Sequence, residues 1–294
     1  MHKIKNSILL LFFLSIFIYP IFIFSDENPS RPLILVSIAP YRTFVKAIVG
    51  DSMDVMMIVP PGSSSHTFEP TPKQMIAASH ANLWFSIGES FEDKFNKAIS
   101  NYNKSMEIVD LRQGVEMIKI DPSTSHYHCS CQKNFEDIHF WLSPKEVATQ
   151  VKTVASTLIK KYPENAEFYK KNLIDFLKKI DNLDIEIKTL LKDSSGKILF
   201  VSHPAYAYFA RDYGLVQLSV EVEGKDPTSR QLTDLIKKIK DANVKLVFIQ
   251  PQYSNKGAYL IAKQLNASIV SIDPYSEDFF GNMLTIAKNI SQNP

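Results

Sequence analysis

Residues 197–209 read KILFVSHPAYAYF and combine a strand, a turn and the start of a helix. The run Lys197–Val201 has the length and the β-branched and aromatic content of a buried strand. Pro204 interrupts this run, and the residues from Tyr206 onward are typical of a helix. A strand that turns directly into a helix is the building unit of a parallel α/β sheet. His203 lies in the turn, where the carboxyl ends of parallel strands line a ligand crevice.

The same alternation of short β-rich runs and longer helical segments extends along the chain. Because strands that alternate with helices build parallel sheets from βαβ units, we predict an α/β fold. The predicted strands are four to six residues long and rich in Val, Ile and Phe: Leu33–Ile38, Val55–Val59, Leu83–Ile87, Lys197–Val201, Leu215–Val220, Leu246–Ile249 and Ser268–Ile272.

Three segments mark helix N-termini, each with a Thr or Ser followed three residues later by Gln or Glu. This is the capping box, in which each side chain bonds the backbone N–H of the other residue. Two of the segments also place proline at the first helical position, where its missing N–H has no cost. The segments are Thr71–Gln74, Ser143–Glu146 and Thr228–Gln231.

The stretch from Ser143 to Leu191 contains no predicted strand and is predicted as helix broken at Pro163. Its second part has apolar residues at helical spacing and could reach about 40 Å, comparable to a domain diameter. We therefore predict two lobes with parallel sheets joined by one long connecting helix. Two ordinary surface helices joined by a loop are the alternative interpretation. The predicted boundaries are 26–160 for the N-terminal lobe, 161–192 for the connecting helix and 193–294 for the C-terminal lobe.

The first 25 residues have the pattern of an export signal. Lys3 and Lys5 precede an almost continuously apolar run from Ile8 to Phe24, as in the basic and apolar regions of a signal peptide. We therefore predict a signal peptide over residues 1–25 and a periplasmic location. An uncleaved N-terminal anchor that tethers the protein to the membrane is the alternative, because the run is just long enough to span a bilayer. No cysteine lies near this segment, so we do not expect lipid attachment.

The composition excludes two classes of protein. Without Lys3 and Lys5, the counts of basic and acidic residues are equal at 31. A nucleic-acid partner, which needs a basic surface, is therefore not expected. The only cysteines are Cys129 and Cys131, which excludes a scaffold built on disulfides. The chain after the signal suits two domains of about 100–200 residues each.

Four residues at strand or loop ends form a candidate metal site. His66 and His139 each precede a helix cap, His203 follows a strand of the second half, and Asp273 ends the last predicted strand. Because the carboxyl ends of parallel strands line the crevice, these residues can converge in the cleft between the lobes. Three neutral imidazoles and one carboxylate suit tetrahedral Zn²⁺, and also Mn²⁺ or Fe²⁺. A lone loop histidine is more often a hydrogen-bonded surface residue, but the joint placement of the four favours ligation.

A second group, His126, His128, Cys129 and Cys131, lies in an irregular segment that runs from Asp110 to Asp137. Loops of this length are usually functional or disordered. Two imidazoles and two thiols can hold a soft ion, although neither spacing is standard for a structural zinc site. We interpret the group as a candidate auxiliary metal loop, with an oxidised form of the cysteines or no specific role as alternatives.

The motifs resemble those of the cluster A-I solute-binding proteins of zinc and manganese ABC transporters. The resemblance runs over nearly all of the chain after the signal. It implies two α/β lobes joined by one long helix, and metal ligation by His66, His139, His203 and Asp273. Manganese-type members tend to have a glutamate at the position of His203, so the match favours zinc. The matching stretches are Gly62 to Pro72, Asp137-Ile138-His139-Phe140-Trp141-Leu142-Ser143-Pro144, Ser202-His203-Pro204-Ala205 and Ile272-Asp273-Pro274.

The function implied by the resemblance is non-catalytic. A monomer would capture a divalent transition metal, with Zn²⁺ favoured, and deliver it to the membrane permease of an ABC transporter. A manganese- or iron-binding member of the same family is the first alternative. An exported zinc hydrolase would keep an open coordination position for water, and the sequence has no H-E-x-x-H motif or paired carboxylates to support it. A binding protein for a chelated metal or corrinoid would need a wide pocket and little ligation by histidine.

Overall fold

The computed structural model describes residues 31–119, 136–221, 225–240 and 244–292. These residues form two lobes, each built on a parallel sheet with helices packed against it, and a long helix lies between the two sheets in sequence. The predicted fold class, an α/β protein with two lobes and one long connecting helix, is confirmed.

The N-terminal lobe contains a parallel sheet with the strand order β2-β1-β3-β4 within residues 31–119. The central strands β1 and β3 are apolar and almost fully buried, as expected where helices cover both faces of a parallel sheet. The elements are β1 (Leu33–Val36), α1 (Ala39–Val49), β2 (Asp54–Met57), α2 (Pro72–Ala78), β3 (Leu83–Ser86), α3 (Ser90–Ile99) and β4 (Glu107–Asp110).

The C-terminal lobe repeats this arrangement, with the strand order β6-β5-β7-β8 among its described residues. In each sheet the second strand in sequence, β2 or β6, pairs with one edge of the first strand, β1 or β5. The third strand, β3 or β7, then pairs with the other edge of that first strand. In open α/β sheets, crossing points such as β1/β3 and β5/β7 are where a ligand crevice is expected, at the carboxyl ends of the strands. The elements are β5 (Ile198–Val201), α6 (Ala207–Asp212), β6 (Val216–Ser219), α7 (Ser229–Lys240), β7 (Leu246–Ile249), α8 (Lys256–Leu265), β8 (Ser268–Ser271) and α9 (Phe279–Gln292).

Two long helices follow the first sheet, α4 (Pro144–Lys161) and α5 (Ala166–Leu190). The break between them falls at Tyr162, because a residue before proline is disfavoured in the helical conformation, and a single 3-10 turn, Pro163–Asn165, leads into α5. At 25 residues, α5 is about 38 Å long. Within the part of the chain that the structure describes, no helix is both long and apolar enough to cross a membrane.

The last helix, α9, carries the apolar core across from one lobe to the other. Phe279 of α9 meets Phe44 of α1 edge to face, with ring centroids 5.1 Å apart. The next residue, Phe280, meets Phe176 of α5 at 5.8 Å. A single apolar cluster therefore includes buried residues of both lobes, so that packing fixes one lobe against the other.

The helix N-termini agree with the capping prediction, with one difference. The boxes at Thr71 and Thr228 are complete, since each pairs both ways with the glutamine three residues later. Ser143 accepts the backbone N–H of Glu146, but the Glu146 side chain bonds Arg211 of α6 instead of closing the box. An ion pair between Glu146 and Arg211 of the other lobe thus takes the place of the bond from the Glu146 side chain to the Ser143 backbone.

One strand, β4, is absent from the sequence prediction. It lies at the edge of its sheet and places acidic residues at both ends, Glu107 and Asp110. An edge strand that is half exposed needs no continuous apolar run, and the pattern that reveals buried strands therefore does not reveal this one.

Candidate metal centre

Three of the four predicted ligands, His66, His139 and His203, converge in the structure. Their Nε2 atoms are 3.3 Å apart for His66 and His139, 3.3 Å for His66 and His203, and 3.4 Å for His139 and His203. They form the group with metal-binding geometry among the described residues. Zinc bound tetrahedrally at about 2.0–2.1 Å holds neighbouring nitrogens roughly 3.3–3.4 Å apart. The three nitrogens therefore have the spacing of one face of a zinc tetrahedron.

Each histidine comes from a different connection in the fold. His66 lies in the loop between β2 and α2, and His139 directly precedes the 3-10 turn Phe140–Leu142 that leads into α4. His203 follows β5 at the crossing point of the second sheet. His139 and His203 are buried, whereas His66 is partly buried. The side chain of His66 is only 7% exposed, so all three imidazoles are largely shielded from solvent.

A carboxylate stands behind each imidazole. The Nδ1 atom of His66 is 3.1 Å from Glu89, that of His139 is 2.8 Å from Asp137, and that of His203 is 2.5 Å from Glu221. When Nδ1–H donates to a carboxylate, the lone pair is left on Nε2 and the ring orientation is fixed. The three carboxylates thus point three Nε2 lone pairs at one position.

The electrostatics keep His203 in the form that binds metal. Burial, and then repulsion from His66 and His139, hold its pKa well below the ordinary value. His203 is therefore a neutral ring, which can donate Nδ1–H to the ionised form of Glu221 and keep its lone pair on Nε2. Burial, with repulsion from Asp226, raises the pKa of Glu221 to about 7.

The pKa of Glu89 is shifted in the opposite direction from that of Glu221. Burial opposes its ionisation, but attraction to His66 and hydrogen bonds from His66 and Ser65 outweigh this effect and lower its pKa. An ionised Glu89 places negative charge directly behind His66, which favours a cation at the triangle.

The segment that carries His139 is bound to the C-terminal lobe as well as to its own. The Tyr208 hydroxyl of α6 donates to the Asp137 carbonyl at 2.7 Å. The Trp141 indole N–H donates to the Pro274 carbonyl at 2.8 Å. These bonds hold His139 opposite His203, although the two residues belong to different lobes.

The fourth predicted ligand, Asp273, is not part of the histidine group. Its Oδ1 atom accepts hydrogen bonds from the Gln252 side-chain amide and the Tyr275 backbone N–H, both at 2.8 Å. Asp273 thus organises the turn after β8 in this structure. The candidate auxiliary residues His126, His128, Cys129 and Cys131 lie outside the described residues.

The supporting carboxylates were not identified from the sequence, although a signal for two of them exists. Glu89 follows β3 and Glu221 follows β6, so both lie just beyond the carboxyl end of a parallel strand. The same positional rule that selects His203 would select them if it were applied to acidic residues as well.

Comparisons with known proteins agree with this geometry. The family described as "Zinc-uptake complex component A periplasmic" (ZnuA) matches residues 34–293. A protein of Chlamydia muridarum described as metal-binding is 34% identical over 283 residues, which are 95% of this chain and 96% of that protein. The manganese ABC transporter substrate-binding lipoprotein PsaA of Streptococcus anginosus is 29% identical over 237 residues, 76% of this chain and 74% of that protein.

A solved structure supports the same assignment at the level of the fold. The crystal structure of ZnuA aligns with a TM-score of 0.82 and 34% sequence identity, and the alignment covers 89% of this chain and 98% of that chain. Because the family match spans both lobes and all three converging histidines, this chain belongs to the zinc-uptake complex component A family.

Proposed function

We propose that this protein captures one divalent transition metal ion, with Zn²⁺ favoured, through His66, His139 and His203 and delivers it to the membrane permease of an ABC transporter. The observation that carries the proposal is the triangle of Nε2 atoms with edges of 3.3–3.4 Å. Capture in the periplasm is part of the proposal, and is supported by the signal-like pattern of residues 1–25 and by the description of the family.

The donor set supports zinc as the cargo. Imidazole nitrogen is a borderline donor that suits Zn²⁺, whereas Mn²⁺ prefers carboxylate and water oxygens. For a common set of ligands, affinity also rises from Mn²⁺ to Zn²⁺. The carboxylates behind the rings make each imidazole a stronger donor without occupying a coordination position.

Manganese is the second candidate, and the similarity to the manganese-transport lipoprotein PsaA favours it. A manganese site would need more oxygen donors than the triangle offers, since all three converging atoms are nitrogens. Asp273 is the member of the predicted ligand set that could supply an oxygen, and its ligation remains a prediction.

The fourth coordination position decides between transport and catalysis. Catalytic zinc sites use three protein ligands and keep a water in the fourth position, whereas closed sites have four protein ligands. Ligation by Asp273, if it occurs, would close the site and would support a non-catalytic role. The hydrogen bonds from Gln252 and Tyr275 both end on Oδ1 of Asp273, so ligation through Oδ2 does not require their loss.

The decisive experiment is a titration of the metal-free protein with Zn²⁺ in competition with a chelator of known affinity. We expect tight binding of one ion per chain, and displacement of Mn²⁺ by Zn²⁺ at equal concentrations. His80→Ala is a suitable control, because His80 is exposed and lies outside the group of converging histidines. Absence of tight binding in the parent protein would refute the proposal.

A further inference from the structure

Tyr253 lies flat against the imidazole of His203. The ring centroids are 3.8 Å apart and the ring planes differ by 6°. We propose that Tyr253, in a turn anchored by Gln250, is a specificity-determining residue that holds position 203 as an imidazole ligand and thereby favours zinc over manganese. This inference rests on the proposed function and extends it to a residue that does not itself bind the ion.

The turn that carries Tyr253 is built to be rigid. It reads Gln250-Pro251-Gln252-Tyr253, with the Tyr253 N–H donating to the Gln250 carbonyl at 3.2 Å. Proline is favoured at the second position of such turns because its φ angle is already set. The Asn255 side chain donates to the carbonyls of Gln250 and Tyr253 at 2.9 and 3.1 Å. The position of the Tyr253 ring is therefore fixed by the backbone that carries it.

Gln250 holds the backbone of His203 on both sides. Its Oε1 atom accepts the His203 N–H at 2.8 Å, and its Nε2 atom donates to the His203 carbonyl at 2.7 Å. The Gln250 side chain is buried, so water does not compete for these bonds. His203 is therefore restrained in three ways. Gln250 holds its backbone, Tyr253 covers its ring face and Glu221 bonds its Nδ1 atom.

The stack has different consequences for imidazole and carboxylate ligands. The face of a tyrosine ring carries negative charge density and attracts groups that are electron-poor. An imidazole that donates its lone pair to a divalent ion becomes electron-poor, so the attraction to Tyr253 increases on metal binding. A carboxylate at position 203 would meet the same face with a negative charge and be repelled. Tyr253 therefore favours the nitrogen ligand that suits zinc.

The hydroxyl group of Tyr253 has a separate set of partners. It lies 2.8 Å from the hydroxyl of Tyr275, which lies 2.9 Å from that of Ser65. Ser65 donates to Glu89, the carboxylate behind His66. Substitution of Tyr253 by phenylalanine removes this link and keeps the ring, so the two contributions can be separated.

The test compares Tyr253→Phe with Tyr253→Leu. We expect Tyr253→Leu to weaken zinc binding about 10- to 100-fold, the usual effect of removing a residue that supports a ligand, and to weaken manganese binding less. Tyr253→Phe should stay within about threefold of the parent for both ions. With bound Co²⁺, the visible absorption bands should change in the leucine variant and be retained in the phenylalanine variant. Tyr259→Leu is the matched control, because Tyr259 is an exposed residue of α8.

A second arm measures the same change in a His203→Glu background. Here Tyr253→Leu should not weaken manganese binding, because it removes a face that repels the carboxylate. The same fractional loss of manganese affinity on Tyr253→Leu in the parent and in the His203→Glu background would overturn the inference. Equal zinc affinities for Tyr253→Leu and Tyr253→Phe would overturn it as well. If Tyr253→Leu does not fold, Tyr253→Met takes its place, since it fills similar volume without a ring. Failure of the parent to bind zinc would instead refute the proposed function.

Discussion

The Nε2 atoms of His66 and His203 lie 3.3 Å apart, although His66 belongs to the N-terminal lobe and His203 to the C-terminal lobe. Such a distance requires the two lobes to be positioned within a fraction of an ångström. The shared apolar core, in which Phe279 of the last helix packs on Phe44 of the first, provides this positioning. The metal site is therefore a product of packing between the lobes and not of either lobe alone.

His139→Ala should remove most of the thermal stabilisation that zinc gives to the parent protein. An ion that binds only the folded state stabilises it by about 4 kcal/mol at a thousandfold excess over Kd. Loss of one of the three converging nitrogen donors lowers affinity enough to remove most of this gain. The measurement is the melting temperature of metal-free protein with and without saturating Zn²⁺, and His80→Ala should behave as the parent does. A rise in His139→Ala equal to that of the parent would exclude His139 as a ligand.

Asp137→Asn should weaken zinc binding by about tenfold with little effect on folding. Asp137 Oδ1 accepts both the backbone N–H and the Nδ1–H of His139 at 2.8 Å. An asparagine keeps this acceptor but removes the negative charge that strengthens the imidazole as a donor. Asp137→Ala removes both and should cost more, about 100-fold. Zinc affinities from chelator competition give the comparison.

The control for this pair is Asp181→Asn, since Asp181 is an exposed residue of α5. Affinity in Asp137→Asn that matches the parent would mean that the hydrogen bond alone, without the charge, supports His139.

The convergence of the three histidines was predictable because each lies where a strand or loop ends and a helix begins. His203 comes directly after a buried strand, and parallel strands end at a common crevice. The carboxylates Glu89 and Glu221 obey the same rule, but an acidic residue after a strand is so often a turn or cap residue that the pattern alone does not single it out. Their pairing with particular imidazoles depends on side-chain directions that only the folded structure defines.

The contacts of Tyr253 and Asp273 could not be predicted for a different reason. The stack of Tyr253 on His203 joins two turns that are far apart in sequence, and no periodicity relates them. Asp273 ends a predicted strand as expected, yet its Oδ1 accepts hydrogen bonds from Gln252 and Tyr275 in the structure. Position at a strand end therefore indicates where a residue lies, but not which of its neighbours it contacts.

His203→Glu should lower the ratio of zinc to manganese affinity by at least about tenfold. The change replaces a neutral nitrogen by a hard, charged oxygen and permits a higher coordination number, which Mn²⁺ prefers. Competition calorimetry on the parent and the variant measures the ratio. An equal or higher ratio in the variant would mean that His203 is not a ligand, or that the geometry of the lobes sets the preference.

Asp273→Asn tests the fourth ligand. If Asp273 binds the ion, loss of its charge should weaken zinc binding by about 100-fold or more, since removal of a ligand costs at least as much as removal of its support. Asparagine keeps an Oδ1 acceptor for Gln252 and Tyr275, so the turn itself should be preserved. Zinc affinity within about threefold of the parent would contradict ligation by Asp273 and leave the fourth position to another donor.

A pH-dependent stability is predicted from Glu92, which is buried in the N-terminal lobe. Burial raises the pKa of Glu92 to about 7, although hydrogen bonds from Ser37, Ile87 and Gly88 act in the other direction. Between about pH 4.5 and about pH 7 the folded state binds more protons than the unfolded state. The free energy of unfolding contributed by this group must therefore fall as pH rises through that window. The full difference corresponds to about 3 kcal/mol.

Glu92→Gln should remove this dependence, because glutamine accepts the Ile87 and Gly88 N–H groups without an ionisation to lose. The measurement is denaturant unfolding of the metal-free protein across the window, with the exposed Glu164→Gln as control. The low pKa of His203 has the opposite effect on stability. As pH falls, His203 gains a proton in the unfolded chain before it does in the folded protein, so its contribution to the free energy of unfolding falls. Only the difference between parent and variant therefore isolates Glu92. The free energy of unfolding of Glu92→Gln, relative to that of the parent, should increase as pH rises. If the two curves of unfolding free energy against pH run parallel, Glu92 has the same pKa in the folded and unfolded states.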